Sequence, residues 1–294
     1  MLFRVILPLV FIGLWSSAFL AAKVGVQYST PFAMLLLRFM LVSLVFAAML
    51  PFARAWRQRQ QRPTGTVIAW TALVGITLHS VYLGSVFFAL SLGLPAGIAA
   101  LIVSLQPLLA SGLAIFLFGE KLRAVQVGGM LAGLAGVVLV LLPKMGGGLP
   151  MPGLASVSFG LCAVTFGTLL QKRVGGKIDL LSGNLVQALA ASAFLAVICL
   201  TVEAPQVSWQ TPFILSLAWQ VVMVSAGAYV ILMVLIQRGT MASVSSLMFL
   251  VPPTTAVFAA IGFDEPLTAL GLVGFCLTSA GVYLVTANSG PRGP

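Results

Sequence analysis

Runs of about twenty apolar residues, separated by short polar gaps, follow one another from end to end of the chain. The hydrocarbon core of a bilayer asks for roughly 20 such residues per helix. Cutting the runs at charges, Gly and Pro predicts ten spans, near 4–22, 31–51, 66–90, 94–117, 123–142, 151–170, 180–201, 212–236, 241–262 and 268–286. The longest gap, FARAWRQRQQRPTG between the second and third spans, is too short for an extramembrane domain. The first run follows Arg4 and imitates a secretion signal, but it is of span length and has no small-x-small cleavage site, so it reads as a retained helix.

The pattern repeats. FGEKLRA (Phe118–Ala124) returns as FDEPLTA (Phe263–Ala269), and GGMLAGLAGVVLV (Gly128–Val140) aligns with LVGFCLTSAGVYLV (Leu272–Val285). Gly129 then matches Gly274, Gly136 matches Gly281 and Val140 matches Val285. Upstream, with a one-residue shift, Gly93 matches Gly239 and Pro107 matches Pro253; weaker matches set Tyr82 against Tyr229 and Arg38 against Gln187. The halves are residues 1–144 and 145–294, each with five spans. Five is odd, so the second copy enters the membrane upside down.

Charge placement agrees with that inversion. Arg4, Arg54, Arg57, Arg59, Arg62, Lys121, Arg123, Lys172, Arg173, Lys177, Arg238 and Arg292 fall on one side, twelve against Lys23 and Lys144 on the other, with Arg38 inside a span. Positive residues favour the cytoplasm, which places both termini there. Lys121 and Arg123 become Pro266 and Thr268 in the copy because the inverted loop faces outward. The glutamate common to both loops reads structurally: Gly119 ends one helix, and Glu120 opens the next, at the positive end of its dipole. Asp264 and Glu265 are expected to act likewise in the second copy.

Composition removes the other classes. The chain is 60% hydrophobic and 7% charged, with mean hydropathy +1.14. A net charge of +10 spread through loops between apolar runs reflects topology rather than a nucleic-acid face. Cys162, Cys199 and Cys276 all lie within apolar runs, an odd number without CxxC or His spacing, so neither a disulfide framework nor a metal site is expected. No GxxxxGK[ST] string is present, which removes ATP as the direct energy source, and no cofactor is called for. Paired intramembrane aspartates and a GxSG serine are absent too, against a membrane protease.

Inverted repeats about an axis in the membrane plane are a transporter architecture, with the binding site near the midplane between the halves. GLPAGIAALIVSLQPLLASGLAIFLFGEKL and GTMASVSSLMFLVPPTTAVFAAIGFDEPL resemble the two EamA domains of the drug/metabolite transporter superfamily, over essentially the whole chain. That resemblance implies an all-α membrane protein of ten helices that exports small metabolites by alternating access. LWSSAFLAAKVG and the histidine–tyrosine third span are most similar to the aromatic and neutral amino-acid exporters, which implies amino-acid substrates and a bacterial inner membrane.

Polar groups within spans are costly and usually face a cavity or another helix. His79 and Tyr82 share a face in the third span, and Tyr229 holds the matching position in the eighth. They suit a zwitterion and an apolar side chain; the alternative for His79 is a hydrogen bond to a neighbouring helix. With an ordinary pKa near 6.5, His79 is also open to proton coupling. Trp15 and Ser16 sit mid-span, and Gln106 precedes Pro107 at the centre of the fourth span. Pro107, Pro252 and Pro253 read as kinks that free a carbonyl or allow a bend. Asn184 and Gln187 share a face, open to substrate or to interhelical bonding. Arg38 either attracts a carboxylate or phosphate, or donates to neighbouring helices. Gly129 and Gly133 have the spacing for close helix approach, read here as packing within a monomer. No Asp or Glu lies mid-span, which argues against export of cationic drugs. The expectation is an amino-acid exporter; the runner-up is a carrier of the same fold for a sugar phosphate or nucleoside, and a scaffold for an enzyme or sensor is weaker still.

Overall fold

The computed structural model describes residues 2–53, 63–118, 123–141, 149–228, 231, 250–265 and 267–287. Every regular element among them is a helix: α1 (Leu2–Gly25), α2 (Pro31–Ala53), α3 (Gly65–Gly75), α4 (Leu83–Ser91), α5 (Ala96–Val103), α6 (Gln106–Phe118), α7 (Ala124–Leu141), α8 (Met151–Val174), α9 (Leu180–Thr201), α10 (Thr211–Ala218), α11 (Val251–Phe263) and α12 (Ala269–Ala287). Two stretches wind more widely, as π-helices: π1 (Ile76–Tyr82), between α3 and α4, and π2 (Trp219–Gly227), after α10. An all-helical chain is what lipid demands, because a helix bonds its own backbone where no water is available.

Among the described residues, seven helical stretches are long and apolar enough to cross a membrane: Ile6–Gly25, Pro31–Pro51, Gly65–Ser91, Ala96–Leu113, Ala124–Leu141, Met151–Val174 and Leu180–Thr201. Three shorter apolar helices, Thr211–Gly227, Val251–Phe263 and Ala269–Val285, follow. The eighth and ninth predicted spans run into residues 232–249, outside the described residues, as do Glu120 and the 144/145 boundary.

Local chemistry sets several ends. The Asp179 carboxylate accepts from the Ser182 N–H at 2.9 Å to open α9, and Thr64 accepts from Val67 to open α3. The prolines read as mid-span kinks stand in first turns of helices rather than in helix interiors. Pro252 and Pro253 occupy the first turn of α11, and Pro107 the first turn of α6, just after a turn at Ser104 and Leu105. In a first turn the missing N–H leaves no intrahelical bond unmade. The fourth predicted span is thus two helices in series rather than one bent one.

Glu265 departs from its expected role. Its carboxylate does not open the helix that follows it. It accepts instead from the Ala96 N–H at 3.1 Å, at the start of α5, and takes Lys23 at 2.5 Å. Lys23 also lies 4.5 Å above the Phe263 ring. This cluster joins the end of α1 to the start of α5 and the end of α11, where Asp264 takes the left-handed conformation with φ 52°. Glu203 caps α2 through the N–H groups of Phe32 and Ala33, and the 26–30 and 206–208 segments exchange backbone bonds.

α7 and α12 lie directly against each other. A Cβ added at Gly129 would strike the backbone of Gly281, and one added at Gly136 would strike Gly274. Thr278 stitches the seam by donating to the Gly133 carbonyl at 3.3 Å. Glycine is required here because the backbones themselves touch. Gly281→Val is therefore expected to lower the melting temperature of detergent-purified protein by about 5–10 °C through overpacking. Gly128→Ala, where a Cβ meets nothing within 4 Å, is expected to leave it unchanged. Equal melting temperatures for the two variants would contradict the seam.

Candidate functional site

Between helices drawn from both parts of the chain lies a cavity of about 410 Å³, within the roughly 300–1,000 Å³ of small-molecule sites. α1, α2, π1, α4, α8, α9 and π2 all contribute to its wall. Most of the lining is apolar: Phe19 from α1, Phe39 and Phe46 from α2, and Phe87 from α4 form an aromatic belt, completed by Trp15 and Tyr82. The polar groups are Arg38, His79, Thr168, Asn184 and Ser225.

Arg38 organises the polar side. It is 7% exposed, and an isolated charge so placed is strongly destabilising unless it is hydrogen-bonded. Its Nη1 donates to Gln220 Oε1 at 2.5 Å. Its Nε and Nη2 both reach Ser225 Oγ, at 3.4 and 3.2 Å. The guanidinium also lies 5.4 Å from the centroid of the Phe39 ring, a favourable cation–π arrangement. Gln220 is fully buried, and its Nε2 has no hydrogen-bond partner among the described residues. Both partners come from π2. The wider turn aims Gln220 and Ser225, five residues apart, at the same guanidinium, and such π segments concentrate at functional sites.

π1 does the matching work on the other side. His79 lies against Phe39, the rings tilted with centroids 4.8 Å apart, and sits beside the Gln187 side chain. Gln187 Nε2 in turn donates to Gln171 Oε1 at 3.0 Å. Arg38 and His79 thus meet on the same ring, Phe39.

Of the residues singled out in the sequence, Trp15, Arg38, His79, Tyr82 and Asn184 line the cavity. Asn184 ties its amide nitrogen to the Leu180 carbonyl at 2.7 Å. Others are placed elsewhere. Ser16 is fully buried and turns to the Val251 carbonyl at 3.4 Å, joining α1 to α11. Gln187 stands behind His79 as an interhelical partner rather than in the lining. Gln106 opens α6, away from the cavity wall. Tyr229 lies outside the described residues. Sequence reading passed over Gln220, Ser225, Thr168 and the four phenylalanines. A glutamine within an apolar run was the available signal for Gln220; the phenylalanines carry none that separates them from lipid-facing packing.

Comparison with known proteins agrees with this architecture. The model of the EamA-like transporter family matches residues 3–142 and 152–287. The chain is 28% identical to an uncharacterized transporter, YvbV, of Bacillus subtilis, over 94% of this chain and 89% of that one. It is 27% identical to a probable amino-acid metabolite efflux pump of Escherichia coli, over 95% and 93% respectively. A crystal structure at 22% identity superposes with TM-score 0.66 over 96% of both chains, a likeness of fold. With the family model covering both parts of a multi-pass helical chain, the protein belongs to the EamA-like transporter family, whose members are transporters rather than enzymes.

Proposed function

We propose that the protein exports amino acids, aromatic and large neutral ones above all, across a bacterial inner membrane. Two inverted five-helix halves, residues 1–144 and 145–294, rock about the central cavity as a monomer with both termini in the cytoplasm. The observation that carries the substrate class is the cavity wall: a single bonded guanidinium beside an aromatic belt. It meets a carboxylate at one end and a large apolar side chain at the other. His79, Tyr82 and Asn184 supply neutral polar contacts, and Trp15 closes the aromatic side. Two relatives named probable amino-acid metabolite efflux pumps, from Escherichia coli and Salmonella typhimurium, support the reading.

Alternating access is supported by two crossed pairings. Arg38 of α2 bonds to π2, while Gln187 of α9, its match in the repeat, lies beside His79 of π1. Gly129 faces Gly281 and Gly136 faces Gly274, whereas the repeat matches Gly129 with Gly274 and Gly136 with Gly281. Crossed contacts of this kind belong to a two-fold arrangement, in which each patch meets the other's counterpart. On this reading the Lys23–Glu265–Ala96 cluster is the polar contact that parts during transport.

Arg38 in the wall also bears on the runner-up. A sugar phosphate brings about two negative charges to a lining with one cation among the described residues, and a nucleoside leaves that cation without an opposite charge. A carboxylate balances it.

Counterflow in proteoliposomes decides among these. Labelled phenylalanine and leucine are expected to accumulate against their unlabelled forms, while a sugar phosphate and a nucleoside are not; exchange of only the phosphate or the nucleoside contradicts the proposal. His79→Ala removes a polar contact and a ring contact. It is expected to raise the apparent KM for phenylalanine about 5–30-fold, the equivalent of roughly 1–2 kcal/mol. An unchanged KM would take His79 out of the site.

A further inference from the structure

We infer that the cavity recognises the carboxylate of its substrate and makes no demand for the amino group. Aromatic and large apolar 2-hydroxy and 2-oxo acids are therefore substrates of the same site. The inference rests on the reading of the cavity given above and extends it to a second chemical class.

Donors for a carboxylate are already in place. A guanidinium carries five N–H groups. Bonds to Gln220 and Ser225 engage three of them, which leaves two without a partner among the described residues. Arg38 nevertheless lines the cavity. Gln220 and Ser225 fix the plane of the fork from one side and Phe39 from below, so the group is oriented before a ligand arrives. A carboxylate accepting the remaining donors forms the charge-assisted pair for which an arginine fork is suited.

The ammonium half is a count of acids. No Asp or Glu lines the cavity among the described residues. Each described acid is at a helix end: Asp179 caps α9, Glu203 caps α2, Asp264 follows α11, and Glu265 holds Lys23 and caps α5. An ammonium group entering the cavity therefore finds neutral acceptors only, close to a fixed positive charge. Its burial without an opposite charge is costly, and like charges so placed repel. Replacing the amine by a hydroxyl or a carbonyl removes that cost while keeping the groups that Arg38 and the aromatic belt recognise. An amine lacking the carboxylate meets the repulsion with nothing to offset it.

The test uses native protein in liposomes, with separate counterflow assays for labelled phenylalanine, 3-phenyllactate and 2-phenylethylamine, each above protein-free vesicles. The expected result is exchange of phenyllactate at a rate within about threefold of phenylalanine, and none of phenylethylamine. Arg38→Gln, at equal incorporation, is expected to reduce phenyllactate exchange more than tenfold. Phenylalanine exchange without phenyllactate exchange overturns the inference and leaves the amino-acid reading standing. Phenyllactate exchange without phenylalanine exchange upholds it and overturns that reading. Exchange of neither acid overturns both. Exchange of phenylethylamine, or an unaffected Arg38→Gln, removes the arginine from its assigned role.

Discussion

A guanidinium held inside an apolar helix bundle is the constraint around which this protein is arranged. Water cannot reach Arg38 freely, so the protein must supply the bonds that water would have made. It does so with Gln220 and Ser225, and an α-helix would not aim these two, five residues apart, at one point. The wider turn of π2 does. π2 and the polar side of the cavity are thus parts of one solution to one buried charge. The Phe39 ring, shared by Arg38 and His79, links that charge to the neutral side of the cavity.

A carrier must also move. The backbone contacts at Gly129, Gly136, Gly274 and Gly281 bring α7 and α12 together without flexible side chains between them, which suits an axis. The Lys23–Glu265 pair is different in kind. It is a short ion pair at one end of the bundle, anchored to the start of α5, and made of groups that water can solvate when they part. In the proposed alternating access, close backbone contact at the seam suits the part that stays and a breakable polar contact the part that opens.

Much of this was legible in the sequence because lipid allows few structures. Apolar run length gave the helices, and their repetition gave the paired glycines. The rarity of charge within spans drew attention to Arg38, His79 and Asn184, which line the cavity. What sequence could not reveal depends on distant contacts. Ser16 and Gln187 look like cavity residues by position, but one turns to Val251 and the other stands behind His79. Glu265 sits where a helix-opening acid is expected, yet the free N–H it serves belongs to Ala96, 169 residues away. The π turns have no sequence signature here: nothing in ITLHSVY or WQVVMVSAG separates a wider winding from an α-helical turn with a polar residue in it. Without them the convergence of Gln220 and Ser225 on Arg38 has no visible cause.

The most direct test of the central claim is to see where a substrate lies. A crystal structure of the protein with bound 4-bromophenylalanine, phased on bromine, would locate both ends of the molecule. The account predicts the bromine within the belt formed by Phe19, Phe39, Phe46 and Phe87, and the carboxylate on the two N–H groups of Arg38 that Gln220 and Ser225 leave open. Bromine density outside that cavity, for instance in the cleft between residues 26–31 and 206–208 at the Lys23 end, would contradict it.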